Sequence, residues 1–175
     1  IYQCDWSSDV CSSDLRDIVP PIIAGNNINI DNWNPTPNTR TDQITMLFKD
    51  KNWNLVGSGS AAVSTPLNIN APTTNGSGID EIVPVTGSNA NCSINDLYLI
   101  TGNTGSTLGV ATAKSGTNII QFSNGDPLGF NLSGTTGTIR SITLPASMQR
   151  VFMVTYFVAA DGTLTRSEEH TSELQ

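Results

Sequence analysis

The sequence is poor in the residue types on which most enzyme chemistry depends. Its 175 residues include a single histidine, His170, three cysteines, and eight lysines and arginines in total. The most apolar run, VFMVTYFVAA (151–160), is shorter than the roughly twenty residues of a membrane-spanning helix and contains a threonine and a tyrosine. The few basic residues form no cluster along the sequence, which argues against a nucleic-acid-binding surface.

The two ends of the chain differ from the rest and share one coding origin. The last residues, RSEEHTSELQ (166–175), are what the DNA AGATCGGAAGAGCACACGTCTGAACTCCAG encodes, and this DNA resembles an adapter ligated onto sequencing libraries. Its opposite strand, read from the second base, encodes WSSDVCSSD and the start of a leucine codon, which matches residues 6–15. We therefore interpret residues 1–15 and 166–175 as translated adapter, and residues 16–165 as the protein itself, cut at both ends.

Excluding the adapter segments changes both the charge and the catalytic inventory. The formal net charge moves from −7 to −2, so the apparent acidity carries no information about partners. Cys92 becomes the one remaining cysteine, and a lone cysteine is more often a small buried apolar residue than a nucleophile. Residues 16–165 contain no histidine, which excludes Ser-His and Cys-His catalysis and most zinc sites within them. We predict no enzymatic activity, no metal and no cofactor.

Hydrophobic patterning predicts a mainly β domain with little helix. Short apolar runs alternate with Gly/Asn/Ser/Thr clusters, and no window keeps the helical period of 3.6 residues. The long loop 57–78 is either a surface excursion or contains a short strand near 67–69. The predicted strands are residues 43–48, 52–56, 80–85, 96–101, 108–113, 118–122, 139–144 and 150–159, with the first two joined as a hairpin by KDK (49–51).

The last predicted strand, residues 150–159, is apolar on both faces. This pattern favours a central strand that is covered on each side, and one cover could be an element missing from these residues. The dipeptide Asp161-Gly162 then predicts a hairpin turn, with a returning strand that begins at Thr163 and Leu164.

Several motifs suggest chemistry, but each has a structural interpretation that we favour. GSGSAA (57–62) fits a dinucleotide-binding fingerprint, yet prolines follow it where that motif needs a helix. Asp80 and Glu81 would point to opposite faces of a strand, which is poor geometry for a cooperating pair. Asp96 and Asp126 lack a second carboxylate nearby and are interpreted as strand-start or turn residues.

Aromatic residues offer one further ligand-binding possibility. A sugar-binding platform could be lined by Trp33, Trp53, Tyr98 and Tyr156. Because these four residues are scattered along the sequence, we favour core packing and loop anchoring for them.

A further pattern lies in four stretches, taken in chain order: VPPIIAGNN (19–27) with TDQITMLFKD (41–50), CSINDLYLIT (92–101), IIQFSNGDPLGFNLSG (119–134) and RVFMVTYFVAADGTLTR (150–166). Together they resemble the periplasmic domain of PilW-family minor pilins of type IV pili. The family's corresponding segments read "PPI.GGN" with "SDQITIRY", "F.VGDLVLIT", "LQF..GDPLGLNQ.G" and "RVFMVTYYID....PRLVR". Asn95 stands where the second segment has glycine. Asp126, Pro127, Leu128 and Gly129 carry the likeness most strongly, and we interpret them as a structural turn.

The resemblance implies a structural protein with a type IV pilin-like α+β fold, in which an antiparallel sheet lies on an N-terminal helix that these residues lack. That helix would anchor the subunit in the bacterial inner membrane and later pack into the filament. The domain would therefore lie in the periplasm and then in the cell-surface pilus. The implied partners are other minor and major pilins, and the implied role is pilus assembly or priming near the tip. A type II secretion pseudopilin and a secreted carbohydrate-binding or adhesin β domain remain alternatives.

Overall fold

The computed structural model describes residues 22–28, 41–86, 88–132, 138–158 and 163–169. Within these ranges the chain is mainly β, its named strand pairs are antiparallel, and no α-helix occurs, so the predicted mainly β class is confirmed. Two short 3-10 helices, Gly59–Ala61 and Ile139–Ser141, interrupt the strands. The strands are β1 (Ile22–Ile28), β2 (Thr41–Lys49), β3 (Leu55–Val56), β4 (Val63–Ser64), β5 (Leu67–Ile69), β6 (Thr73–Thr74), β7 (Asp80–Ile82), β8 (Leu97–Gly102), β9 (Gly105–Val110), β10 (Ala113–Ser115), β11 (Ile119–Phe122), β12 (Ala146–Val158) and β13 (Leu164–Glu169).

The chain divides into two compact units, and the first comprises Ile1–Phe48 and Phe152–Glu169. In this unit β1 pairs with β2, and the second part of β12 has β2 and β13 as neighbours. The hydroxyls of Thr45 and Thr155 are 2.9 Å apart and form a cross-strand hydrogen bond between β2 and β12. The returning strand predicted after residue 162 is present as β13, although the turn residues Asp161 and Gly162 lie outside the described residues.

The second unit, Lys49–Val151, contains two sheets and a separate hairpin. In one sheet the first part of β12 lies between β5 and β8, and β9 follows β8. The other sheet has the order β10-β11-β7-β6, and the hairpin consists of β3 and β4. Side chains from both sheets form a single apolar core, in which Trp53 meets Tyr98 edge to face at 5.8 Å between ring centroids. The core residues are Trp53, Leu67, Ile69, Ile82, Cys92, Tyr98, Ile100, Ala111, Ile120, Phe122, Ile139, Ile142, Ala146 and Met148.

The strand predicted over residues 139–144 is wrong, because the chain forms the 3-10 helix Ile139–Ser141 there. Ile139 and Ile142 are both buried, and a spacing of three residues places them on one side of a 3-10 turn. In a strand the two isoleucines would point to opposite faces, so their common burial fits the 3-10 turn.

The hairpin predicted between β2 and residues 52–56 is also wrong. Its second segment forms a turn, because the Asp50 carboxylate accepts a hydrogen bond from the Asn52 amide at 2.8 Å and Asn54 has a φ of 49°. Only Leu55–Val56 is extended, and it pairs with β4 instead of β2. The predicted strand 108–113 is likewise divided between β9 and β10, whereas the short strand near 67–69 is confirmed as β5.

Candidate functional site

Three charged side chains from distant parts of the sequence meet in the second unit, and we call them the Arg150 cluster. Arg150 on β12 donates from Nε to Oδ2 of Asp50 at 2.7 Å and from Nη1 to Oδ2 of Asp96 at 3.0 Å. Both carboxylates are buried, whereas a quarter of the Arg150 side chain is exposed. Burial alone would lower the pKa of the Arg150 guanidinium, but the hydrogen bonds that it donates to Asp96 and Asp50 outweigh burial and raise that pKa.

Hydrogen bonds to the backbone of Asp50 also stabilise the Arg150 cluster. The Asp50 amide donates to the Arg150 carbonyl at 3.0 Å, and the Asp50 carbonyl accepts from the Ser64 hydroxyl at 2.8 Å. The buried side-chain amide of Gln149 donates to the same carbonyl at 3.4 Å. The cluster therefore holds the residue that follows β2 against the middle of β12.

Tyr98 and Cys92 extend the cluster into the apolar core. The Tyr98 hydroxyl donates to Asp96 at 3.2 Å and accepts from the Ser93 amide at 3.1 Å. Burial raises the pKa of Tyr98 far above its ordinary value, and it raises the pKa of the Cys92 thiol to about 11. A thiol with this pKa is protonated at neutral pH, so Cys92 is not an activated nucleophile. The arrangement fixes strands in position.

The motif Asp126-Pro127-Leu128-Gly129 forms a compact turn. The Gly129 amide donates to the Asp126 carbonyl at 3.1 Å, which closes a β-turn with Pro127 at its second position and glycine at its fourth. Gly129 has a φ of 68°, where glycine is favoured. The buried Asp126 carboxylate accepts from the backbone amides of Leu128, Phe130 and Asn131 at 3.2, 3.1 and 2.8 Å. Asp126, Pro127 and Gly129 thus each have a conformational reason, whereas Leu128 contributes its backbone amide.

This turn positions Asn131 against the edge of β9. The Asn131 side chain accepts from the Val110 amide at 2.9 Å and donates to the Val110 carbonyl at 2.7 Å, so it pairs with both backbone groups of that residue. The side-chain amide of Asn131 also donates to the Ser123 carbonyl at 2.9 Å. Such a side chain occupies backbone groups that an edge strand would otherwise offer to another chain. The sequence predicted no structural role for Asn131, although its position two residues after the turn was a usable signal.

The other residues singled out from the sequence do not converge on one site. Asp80 is buried and ion-paired with Nε of Arg140, whereas the half-buried Glu81 carboxylate accepts from Gln121 at 2.8 Å. Trp53 and Tyr98 are buried in the core of the second unit, so neither offers an exposed face to a sugar, and Tyr156 is half-buried in the first unit. Trp33 lies outside the described residues.

Two further tests bear on metal binding and membrane spanning. Within the described ranges, no group of three or more histidine, cysteine, aspartate and glutamate side chains is arranged to hold a metal ion. In the same part of the chain, no helix is long and apolar enough to cross a bilayer. The glycine-rich segment 57–62 contains a 3-10 helix of three residues and leads into β4, which is not the helix that a dinucleotide-binding motif requires.

A scan against protein-family models and searches of curated proteins and of solved structures found no match to this chain.

Proposed function

We propose that residues 16–165 are the periplasmic domain of a minor pilin that takes part in type IV pilus assembly or priming, near the pilus tip. The proposed fold is the antiparallel sheet of a type IV pilin, whose N-terminal helix these residues lack. The proposed partners are other minor and major pilins, together with the bacterial inner membrane through that helix. The domain would reside in the periplasm and then in the cell-surface pilus, with no catalytic role.

The observation that carries this proposal is the convergence of the family-like stretches at the Arg150 cluster. Asp50 ends the first stretch, Asp96 lies in the second and Arg150 begins the fourth, and the three side chains are joined by hydrogen bonds. Chance likenesses in separate segments would not be expected to supply the partners of one buried ion cluster. The third stretch contributes β11 and the Asp126 turn, which holds the edge of β9.

The backbone conformation of Asn95 independently supports the resemblance of the second stretch to the family. The resembled segment has glycine at this position, and Asn95 has a φ of 71° in this chain. Glycine adopts that left-handed conformation freely, and asparagine is one of the few other residues that do so routinely. The substitution of asparagine for glycine therefore keeps the backbone conformation that the family pattern implies.

Exposed apolar side chains in the first unit support the proposal that a further element covers its strands. Phe152, Met153, Tyr156 and Phe157 on β12 are only half-buried, and Ile44 on β2 is 46% exposed. A strand that is apolar on both faces gains stability when each face is covered, because apolar area is then removed from water. An N-terminal pilin helix would provide one such cover.

The decisive experiment is to recover the genomic DNA upstream of the codon for Arg16. The proposal expects a prepilin leader with its cleavage site, followed directly by a long apolar helix. A cleaved secretory signal without such a helix would instead support the secreted carbohydrate-binding or adhesin domain. Neighbouring genes for secretion components rather than pilus components would indicate the type II secretion pseudopilin.

A biochemical test uses the same recovered sequence. The domain is expressed with and without the upstream helix, in a detergent that accommodates the helix, and its association state is compared. We expect the helix-free form to associate through its apolar strands and the complete form to be monodisperse. A helix-free domain that is monomeric and unfolds cooperatively would contradict the missing-cover argument.

A further inference from the structure

The β3–β4 hairpin exposes an apolar surface in a part of the chain without charge. Val56 and Val63 are cross-strand partners, and each is 61% exposed, while Leu55 beside them is 48% exposed. No charged residue occurs between Asn52 and Ile79. The nearest carboxylates along the chain on either side, Asp50 and Asp80, are both buried and ion-paired. The hairpin therefore carries no negative charge that would oppose an anionic surface.

The root of the hairpin is held firmly, so the exposed valines are not part of a loose loop. Trp53 is buried and its indole donates to the Asn91 carbonyl. The Asn54 side chain donates to the Thr65 carbonyl at 2.9 Å, and the Thr65 amide donates back to the Asn54 carbonyl at 3.3 Å. The Ser64 hydroxyl bonds the Trp53 carbonyl at 2.6 Å. Exposed valines beside a rigid root lose little conformational entropy when they bind.

All three lysines of the chain belong to the region around this root. Lys49 and Lys51 flank Asp50, whose carbonyl bonds Ser64 of the hairpin, and both lysines are exposed. Lys114 is also exposed, and its ammonium donates at 2.8 Å to the carbonyl of Cys92, the residue after the Trp53 anchor Asn91. The sequence shows only two lysines near each other, and the fold brings the third to the segment that anchors Trp53.

We propose that the β3–β4 hairpin and these lysines form an interfacial surface that docks on a bilayer containing anionic phospholipids. Val56 and Val63 each lie two residues from the root pair Asn54 and Thr65, which is about 7 Å along the strands, since each residue spans about 3.3 Å. Amphipathic elements at membrane surfaces bury their apolar face by about 5–10 Å. The valines then enter the acyl boundary while the lysines lie at the level of the lipid phosphates. This inference does not rest on the proposed pilin function, and it concerns the domain rather than the missing helix.

The test measures co-flotation of the full 175-residue chain with vesicles of phosphatidylcholine containing phosphatidylglycerol, and with phosphatidylcholine alone, so that self-associated protein without lipid does not count as bound. We expect binding to the anionic vesicles that weakens with added salt. The pair of substitutions Val56→Ser and Val63→Ser lowers the partition coefficient by about tenfold or more, because two exposed apolar side chains no longer enter the lipid. The pair Lys49→Gln and Lys51→Gln lowers it by about fivefold per lysine and reduces the dependence on salt.

Val85→Ser is the matched control, because Val85 is 59% exposed and lies outside the hairpin. This variant retains wild-type binding, and the circular dichroism melting curves of all variants stay unchanged. Absence of binding to anionic vesicles overturns the proposal, as does binding that the hairpin and lysine variants leave intact. A vesicle-independent dimer that the valine substitutions dissociate also overturns it, in favour of a second copy of the chain as the occupant.

Discussion

The two units are built from the same kind of strand but differ in how completely they bury it. In the second unit, two sheets contribute to one core in which Tyr98, Ile100 and Ile120 have no exposed surface. The described strands of the first unit belong to one sheet, in which Ile44 and Phe48 on β2 are 46% and 39% exposed. Apolar content alone does not create a core, since a second layer must cover it.

Strand β12 shows the same difference in burial within a single strand. Its first part contributes Met148 and Val151 to the buried side chains of the second unit. Its second part carries larger apolar residues, Phe152 and Phe157, which are only half-buried. Burial therefore changes along one strand while its apolar character continues, because burial depends on what the neighbouring elements supply.

The sharpest test of this difference compares two phenylalanines. Phe122 in the second unit is 2% exposed, so Phe122→Ala should lower the free energy of unfolding by about 4 kcal/mol through lost burial and a cavity. Phe157→Ala in the first unit should cost only about 1 kcal/mol, because its side chain is already partly in water. Urea denaturation followed by circular dichroism measures both. Equal costs would mean that the two units are equally well packed.

The next largest effect is expected at the Arg150 cluster. Arg150→Ala leaves two buried carboxylates without their cation and should cost about 3 kcal/mol of unfolding free energy. Arg140→Ala is the matched control, because a similar fraction of its side chain is exposed but only one buried carboxylate, Asp80, loses its partner. Chemical denaturation at neutral pH should rank Arg150→Ala as the more damaging change. The reverse order would contradict a joint role of Asp50 and Asp96.

A smaller, pH-dependent effect on stability tests whether the Cys92 thiol is desolvated in the core of the second unit. Burial raises the pKa of the Cys92 thiol from 9.0 to about 11, so the unfolded chain releases this proton first as the pH rises. The protonated thiol therefore contributes to the free energy of unfolding in full below pH 9. This contribution is lost between pH 9 and about 11, at about 1.4 kcal/mol per pH unit. Denaturation curves across this range should show a shallower loss for Cys92→Ala. Parallel losses in the two proteins would show that Cys92 is not desolvated.

The smallest effect concerns the backbone before β8. Asn95→Ala should destabilise the protein by about 1 kcal/mol, because alanine is strained at a φ of 71°. Asn95→Gly should be close to neutral, since glycine adopts this conformation freely. The two melting temperatures, measured side by side, separate backbone strain from loss of the asparagine side chain. If glycine were as damaging as alanine, the side chain rather than the backbone would account for asparagine here.

The features that could be predicted from the sequence are those that depend on residues close together in it. The β class follows from the spacing of apolar residues, and the Asp126 turn follows from a short motif whose hydrogen bonds span at most five residues. The strand predicted at 139–144 is wrong although its signal is local, because the three-residue spacing of Ile139 and Ile142 fits a 3-10 turn, whereas a strand would point the two side chains to opposite faces.

The charged residues of the candidate site could not be predicted in this way. Asp50 and Arg150 are 100 residues apart, and Arg150 and Asp96 are 54 apart, so no sequence spacing indicates that they meet. Asp96 was interpreted as a strand-start residue, which is where it lies, but its ion pair depends on how β8 and β12 align. The pairing of Asn131 with Val110 depends on tertiary packing for the same reason.

The amino-acid sequence by itself determined the mainly β character, the local turn at Asp126 and the loss of histidine chemistry once the adapter-like ends are set aside. Only the tertiary structure decided which side chains share a buried site and which apolar residues stay in water. It joined Asp50, Asp96 and Arg150, and it brought Lys114 to the root of the β3–β4 hairpin. The physical reason is that strand pairing and layer packing bring together residues that no local period relates.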